Sequence, residues 1–230
     1  MAEAEFDAHA ERYNEELNEA LSVSGEDRDF FARGRVAWFA DCARRMGALP
    51  KSVLNYGCGT GVECPLLLDL LKVERVWGVD VSAQSIEVAT RERGSDSLRF
   101  HTLEGYSCPT LQDAAYCNGV FHHIPVAERH GALRFIHSAL RPGGLFAFWE
   151  NNPWNVGTRY VMSRCAFDGD AITISMPEAC GLLQKAGFQV LRKDSLFYFP
   201  RQLKWLRGLE PALRWLPLGG QYQVLCRKDN

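Results

Sequence analysis

Glycine stands at 57, 59 and 61 in VLNYGCGTG, residues 53–61, between a β-rich run and a helical one. A dinucleotide loop needs G-x-G-x-x-G, but here the third glycine comes one residue early and Val62 holds its place. No Lys-Ser or Lys-Thr pair follows, so the phosphate loop of nucleotide hydrolases is also excluded. What remains is a turn without side-chain bulk ahead of a helix whose first N–H groups are free, a setting that favours a carboxylate as readily as a phosphate. The next β-rich run, in VWGVDVS, ends on Asp80, and a carboxylate at that strand tip is placed to accept both hydroxyls of a ribose. Loop and carboxylate together suit a nucleoside carrying a small charged group.

These residues need a scaffold, and from 52 onward β-rich runs alternate with helical ones, the pattern of a parallel sheet covered on both faces. The expected strands are SVLNY, RVWGVD, LRFHT, AAYCNGV, LFAFWE, FQVLRKD and QYQVLCRK. Helices are expected in VECPLLLDLL, with Pro65 near its start, in AQSIEVATRER, and in AERHGALRFIHSAL, where Leu133, Ile136 and Leu140 form a buried stripe ended by Arg141-Pro142-Gly143-Gly144. Ser175 and Glu178 have capping-box spacing, and Gly187 can close the helix they open. Ahead of the sheet, residues 5–46 read as two helices that lid it, with Phe6, Ala10, Tyr13 and Leu17 on one face of the first and Val36, Phe39, Ala43 and Met46 on one face of the second. We divide the single domain 1–230 into a helical lid (1–48), a ligand-binding core (49–195) and an insertion (196–220) between the last two strands.

S-adenosylmethionine (SAM) fits the ligand inferred from loop and carboxylate. In FDAHAERYNEEL, VLNYGCGTG, VWGVDVSAQSIEVA and DAAYCNGVFHHIP followed by LRPGGLFAF, all in order, the chain resembles the class I SAM-dependent methyltransferases of small-molecule type, similar to those of ubiquinone and menaquinone biosynthesis and to sugar methyltransferases. The resemblance covers about residues 6–192 and implies a seven-stranded Rossmann-like α/β fold with the last strand antiparallel. It also implies that Gly57, Cys58, Gly59 and Gly61 line the methionine part of SAM, that Asp80 binds the ribose, and that Val81 packs on adenine. Glu104 falls where an Asp near the adenine amino group is usual, Asn118 approaches the methionine end, and Tyr13 closes over the cofactor. Asn55 departs from the pattern, which has Asp or Glu there to support the SAM amino group. Its neutral amide loses about 1 kcal/mol of charge-assisted hydrogen bonding.

Methyl transfer from a sulfonium is an in-line displacement, and an oxygen acceptor gains from a base that takes its proton. His122 and His123 follow the fourth strand at the carboxyl edge of the sheet, where ligands bind in this architecture, and either is a candidate base or a pocket hydrogen-bonding group. FWENNPWNVGTRY (148–160) reaches the same edge with Glu150, a second candidate base, and with Asn151, Asn152, Trp154, Asn155 and Arg159. The amides and Pro153 read equally as a turn with Trp154 in the core. The aromatic, basic run at 196–216 reads as ordinary packing with a dimer face, as a wall over the acceptor, or as a surface leaning on a membrane.

With 230 residues, 47% hydrophobic and 23% charged, the chain is long enough for a full core, and a formal charge of −2 leaves no basic field for nucleic acid. The acidic start lacks a signal-peptide core and no apolar run approaches the roughly 20 residues of a spanning helix, so the expected setting is cytoplasmic. Eight cysteines without a CxxC pair argue for buried thiols rather than a metal site, and no metal is expected. The expected partner is a small-molecule acceptor, methylated at a hydroxyl oxygen, with the protein a monomer or homodimer. N- or C-methylation, and a binding or regulatory protein that has lost catalysis, are the alternatives.

Overall fold

The structure, a computed structural model, describes residues 21, 24–107, 110–165 and 171–229. The first expected helix, with Tyr13, lies outside them. The described elements run α1 (Arg28–Arg45), β1 (Ser52–Tyr56), α2 (Cys64–Leu71), β2 (Arg75–Asp80), α3 (Ala83–Arg93), β3 (Leu98–Thr102), β4 (Gln112–Asn118), α4 (Arg129–Ala139), β5 (Leu140–Asn151), α5 (Val156–Met162), α6 (Met176–Lys185), β6 (Phe188–Leu196), a 3₁₀ segment (Arg201–Leu209), α7 (Glu210–Leu213) and β7 (Gln221–Lys228).

The strands form one seven-stranded sheet in the order β3-β2-β1-β4-β5-β7-β6, parallel except for β7, which is antiparallel to both neighbours. Strand alternation divides the core. Val53, Val76, Tyr116, Ala147 and Trp149 face a layer of α1, α2 and α3, whereas Leu54, Trp77, Ala115, Phe146 and Phe148 face α4 and α6. In α1, Val36, Phe39 and Ala43 are buried against the first face, so the second expected helix covers the sheet through the stripe its spacing indicated.

Local signals act where they stand. Asp27 caps α1 through Phe30 N–H at 2.8 Å, Ser82 caps α3 through Ser85 N–H at 3.0 Å, and Pro65 occupies the first turn of α2. The backbone N–H and hydroxyl of Ser175 both donate to Glu178, and Gly187 follows α6 at φ +87°. Several boundaries shift by a few residues, two of them at β5. The stop after Ala139 leads into a strand, because Leu140 already pairs with Gln112 before the register shifts between Gln112 and Ala114. Strand β5 also continues to Asn151, two residues from Pro153.

Because the order reverses at β1, the carboxyl ends of β1, β2 and β4 open onto a crevice at the switch point, the usual ligand position in such a sheet. That crevice holds the candidate site.

Candidate active site

A cavity of about 850 Å³ lies over these strand ends, toward the upper end of the roughly 300–1,000 Å³ of small-molecule sites. The three glycines of the loop do different work. Gly57, at φ +69°, is bare because a Cβ would stand 2.3 Å from Val120 Cγ2, and Gly61, at φ +76°, because a Cβ would meet the Phe100 ring at 2.7 Å. Gly59, at φ +51°, has nothing within 4 Å of a Cβ, so its bare face borders open space. Gly57, Cys58 and Gly59 border the cavity; Gly61 does not and serves helix packing. Burial raises the Cys58 thiol well above its ordinary value, so it stays protonated and is no nucleophile.

Asp80 is held from two sides: Oδ2 accepts Gly59 N–H at 2.7 Å and Oδ1 accepts Ser82 N–H at 3.0 Å. A carboxylate accepts up to about four hydrogen bonds, and one fixed in this way at a strand tip is of the kind that suits ribose hydroxyls. Beside it Val81, 41% exposed, offers an apolar surface to the cavity. Asn118 also borders the cavity, and its buried Oδ1 has no hydrogen-bond partner among the described residues. A buried acceptor costs stability unless something donates to it, so Asn118 fits a ligand carrying an N–H at this point.

Two residues of the expected site lie off the cavity border. Asn55 is 2% exposed, and its Nδ2 donates to Cys64 Sγ at 3.3 Å beneath the loop; it does not border the cavity. Glu104 sits in the turn after β3, closed by Gly105 N–H to Thr102 Oγ1, and that turn sends Leu103 to the cavity and Glu104 to solvent.

His122 and His123 both border the cavity, their ring centres 4.1 Å apart. His122 is buried, and its Nδ1 lies 2.6 Å from Glu150 Oε2. Glu150 Oε1 accepts Phe121 N–H at 2.7 Å, and Oε2 also accepts Asn151 N–H at 3.3 Å. Burial would raise the Glu150 carboxyl, yet His122 and the Phe121 amide together hold it below the ordinary value of 4.5. Glu150 therefore stays ionised, with both oxygens engaged behind His122 and no border on the cavity, a placement that suits a positioning group more than a base. An ionised partner at Nδ1 places the proton there and leaves Nε2 as the acceptor. The depressed carboxyl also stabilises the fold: its contribution is full above pH 4.5 and is lost as pH falls through its lower folded value. Urea denaturation from pH 6 to pH 3 is expected to show a steeper loss of stability in wild type than in Glu150→Gln.

The rest of 148–160 divides. Asn152 is structural, its Nδ2 donating to the carbonyls of Pro217 and Gly219 and its Oδ1 accepting Trp154 N–H. Asn155 caps α5 through Thr158 N–H and also borders the cavity with Asn151. Trp154 is 48% exposed rather than core. Arg159 is exposed and away from the cavity.

Sequence reasoning missed one group and left a second among three readings. From α1, Arg35 reaches Glu63 (Nη2 to Oε1, 2.6 Å) and Gln221 Oε1 at 2.8 Å, while Tyr116 Oη donates to Glu63 Oε1 at 3.2 Å. Arg35 and Glu63 border the cavity. Burial works against the Arg35 charge, but Glu63 and Tyr116 overcome it and raise the guanidinium further. An acid one residue ahead of a helix reads as capping, which hid Glu63; Arg35 within an apolar stripe was the available signal. The second group is an aromatic wall. Phe30 and Phe31 meet Phe197 at ring distances of 6.1 and 5.0 Å, and Tyr198, Phe199 and Pro200 continue it along the cavity. The wall's ionic groups are satisfied internally: Arg207 pairs with Glu26 at 2.9 Å, and Glu210 accepts the N–H groups of Tyr198 and Phe199.

No group of three or more acidic, His or Cys side chains able to hold a metal occurs among the described residues. None of the described helices is long and apolar enough to cross a membrane.

Residues 53–144 match the family model of a methyltransferase domain. A trans-aconitate 2-methyltransferase of Rhodopseudomonas palustris strain BisB18 is 27% identical over 118 residues, 51% of this chain and 45% of that enzyme. The matched stretches cover between 27% and 46% of the curated relatives' own lengths. Among solved structures, a SAM-dependent methyltransferase of Thermotoga maritima superposes with a TM-score of 0.65 at 18% identity over 100% of both chains. The complex of DhpI with S-adenosylhomocysteine (SAH) gives 0.61 at 18% identity over 99% of this chain and 96% of that one. Residues 53–144 are thus similar to a methyltransferase domain, and the described chain has the Rossmann-like fold seen in the class I SAM-dependent methyltransferases.

Proposed function

We propose that the protein transfers the methyl group of SAM to a hydroxyl oxygen of a small-molecule acceptor in the cytoplasm. The observation that carries the choice of oxygen is His122 on the cavity border, its imidazole oriented through Nδ1 by the Glu150 carboxylate behind it. The matched domain, the SAH complex among the structural neighbours, and the fit of Gly59, Asp80, Val81 and Asn118 support SAM as cofactor. Seven free cysteines among the described residues suit a reducing compartment.

Bound there, SAM supplies an electrophilic methyl group on sulfur, which keeps the bonding electron pair as a neutral thioether. The chain supplies alignment and proton removal. Asp80 fixes the nucleoside end, and the bare face of Gly59 lets the main chain approach the ligand. Phe30, Phe31 and Phe197 to Pro200 form an apolar wall that excludes water and suits a flat acceptor. His122 Nε2 takes the hydroxyl proton as the oxygen bonds to the methyl carbon, and Glu150 steadies the imidazolium that forms.

Calorimetry with SAM and SAH tests the cofactor. Wild type is expected to bind, and Asp80→Ala to bind about 100-fold more weakly, since two hydrogen bonds to a charged acceptor are worth about 3 kcal/mol together. Absence of binding in the wild type overturns the reading, and binding without turnover across acceptors favours the non-catalytic alternative.

The segment beyond the wall favours peripheral membrane contact as a second feature. Trp205 and Trp215 are each 74% exposed, and Arg201, Lys204 and Arg214 lie among them. Sedimentation with vesicles of anionic phospholipid is expected to carry down wild type, and to carry down much less of Trp205→Ala/Trp215→Ala. Equal recovery of both in the supernatant excludes this contact.

A further inference from the structure

In VLNYGCGTG the acid that the resemblance expects is replaced by Asn55, and the structure turns that side chain into the protein, onto Cys64 Sγ. Restoring an acid at 55 would bury a charge under the loop rather than offer it to the cavity. Eight residues further on, Glu63 stands just ahead of α2 on the cavity border, its side chain 12% exposed. Its Oε1 is fully used by Arg35 and Tyr116, and its Oε2 has no hydrogen-bond partner among the described residues.

The placement is specific. Tyr116 pairs in register with Asn55 and so shares its sheet face, but whereas Asn55 is taken up by Cys64 in α2, the Tyr116 hydroxyl holds Glu63 just ahead of that helix, on the cavity border. Asn118 lies two residues beyond Tyr116 on the same strand face, with a buried Oδ1 that also lacks a donor. The cavity border therefore carries a carboxylate oxygen from the start of α2 and an amide oxygen from the end of β4, two acceptors with no donor among the described residues. Arg35 already neutralises Glu63, so an incoming group that is itself a zwitterion leaves no uncompensated charge in the buried site.

We propose that Glu63 supplies the acid that Asn55 lacks, and that its Oε2, with Asn118 Oδ1, receives the α-ammonium group at the methionine end of SAM; this rests on the cofactor reading above. The test is calorimetry with two ligands, SAH and 5′-methylthioadenosine, which keeps the nucleoside but has no amino-acid end. Glu63→Gln is expected to weaken SAH about 10- to 100-fold and to leave methylthioadenosine within about twofold. Equal weakening of both ligands, or of neither, overturns the proposal. Because Glu63→Gln leaves Arg35 without its charge partner, a second measurement needs no variant: wild type is expected to bind the SAH analogue lacking the α-amino group at least about tenfold more weakly than SAH. Equal affinity overturns the proposal while keeping the cofactor reading. Asn55→Asp is expected to bring no gain in SAH affinity, and a clear gain assigns the ammonium to position 55 instead. A wild type that binds neither SAH nor methylthioadenosine overturns the cofactor reading, and this proposal with it.

Discussion

Replacing His122 by Ala lowers kcat for an oxygen acceptor by about 10²- to 10⁴-fold, the range of a positioned general base, while SAH affinity stays within a few-fold. The separation follows from the site. In the proposed site Asp80, Gly59 and Val81 hold the nucleoside end without His122, whose Nδ1 lies 2.6 Å from Glu150. Glu150→Gln tests the other half of the pair. Gln keeps an acceptor for Phe121 N–H but removes the charge that fixes the Nδ1 proton, so kcat falls by about 10- to 100-fold with KM little changed. The pH profile carries the sign. His122 lowers the Glu150 carboxyl, and by reciprocity the carboxylate favours the imidazolium; removing it makes the imidazole easier to keep neutral. The acid limb of the rate therefore moves to lower pH in Glu150→Gln. Variants of His122 that retain full kcat would remove the base and turn the assignment toward nitrogen or carbon acceptors, which can react without it.

Strand ends were legible because they obey local rules. SVLNY, RVWGVD, LRFHT and QYQVLCRK are strands from first residue to last, since β-branched and aromatic runs bounded by turns leave few alternatives. The places of Gly57, Gly59 and Asp80 on the cavity border were legible for the same reason: they stand at the tips of β1 and β2. Glu104 and Glu150 were not, because the direction of a side chain in a turn or at a strand end depends on one hydrogen bond, Gly105 to Thr102 in one case and Phe121 to the carboxylate in the other. Glu63 and Arg35 were hidden more deeply. They meet across 28 residues, one on α1 and one just ahead of α2, helices placed side by side by the sheet face they share, and periodicity within either helix contains no record of the other. The aromatic wall is intermediate: the composition of 196–216 marked it as unusual, but only the packing of Phe197 on Phe30 and Phe31 selects a cavity wall for its first residues while leaving Trp205 and Trp215 outside.

Gly57→Ala and Gly59→Ala, two residues apart in one loop, are expected to fail in opposite ways. At Gly57 an added Cβ meets Val120 at 2.3 Å, and φ is +69°. The left-handed backbone costs about 1–2 kcal/mol, and forcing a β-branched neighbour from its place adds about 1–3 kcal/mol. The variant therefore loses about 2–5 kcal/mol in urea denaturation, a large share of the roughly 5–15 kcal/mol that holds a domain together. At Gly59 φ is +51° but nothing stands within 4 Å of the added carbon. Stability there falls by only the backbone cost of about 1–2 kcal/mol, and the methyl enters the space where the ligand meets the main chain, so SAH affinity falls at least about tenfold. The contrast separates scaffold from site within a single turn. A Gly59→Ala protein that binds SAH as wild type does would move the ligand off the loop, and Asp80, whose Oδ2 is anchored by Gly59 N–H, would then be left as a structural clasp between β1 and β2.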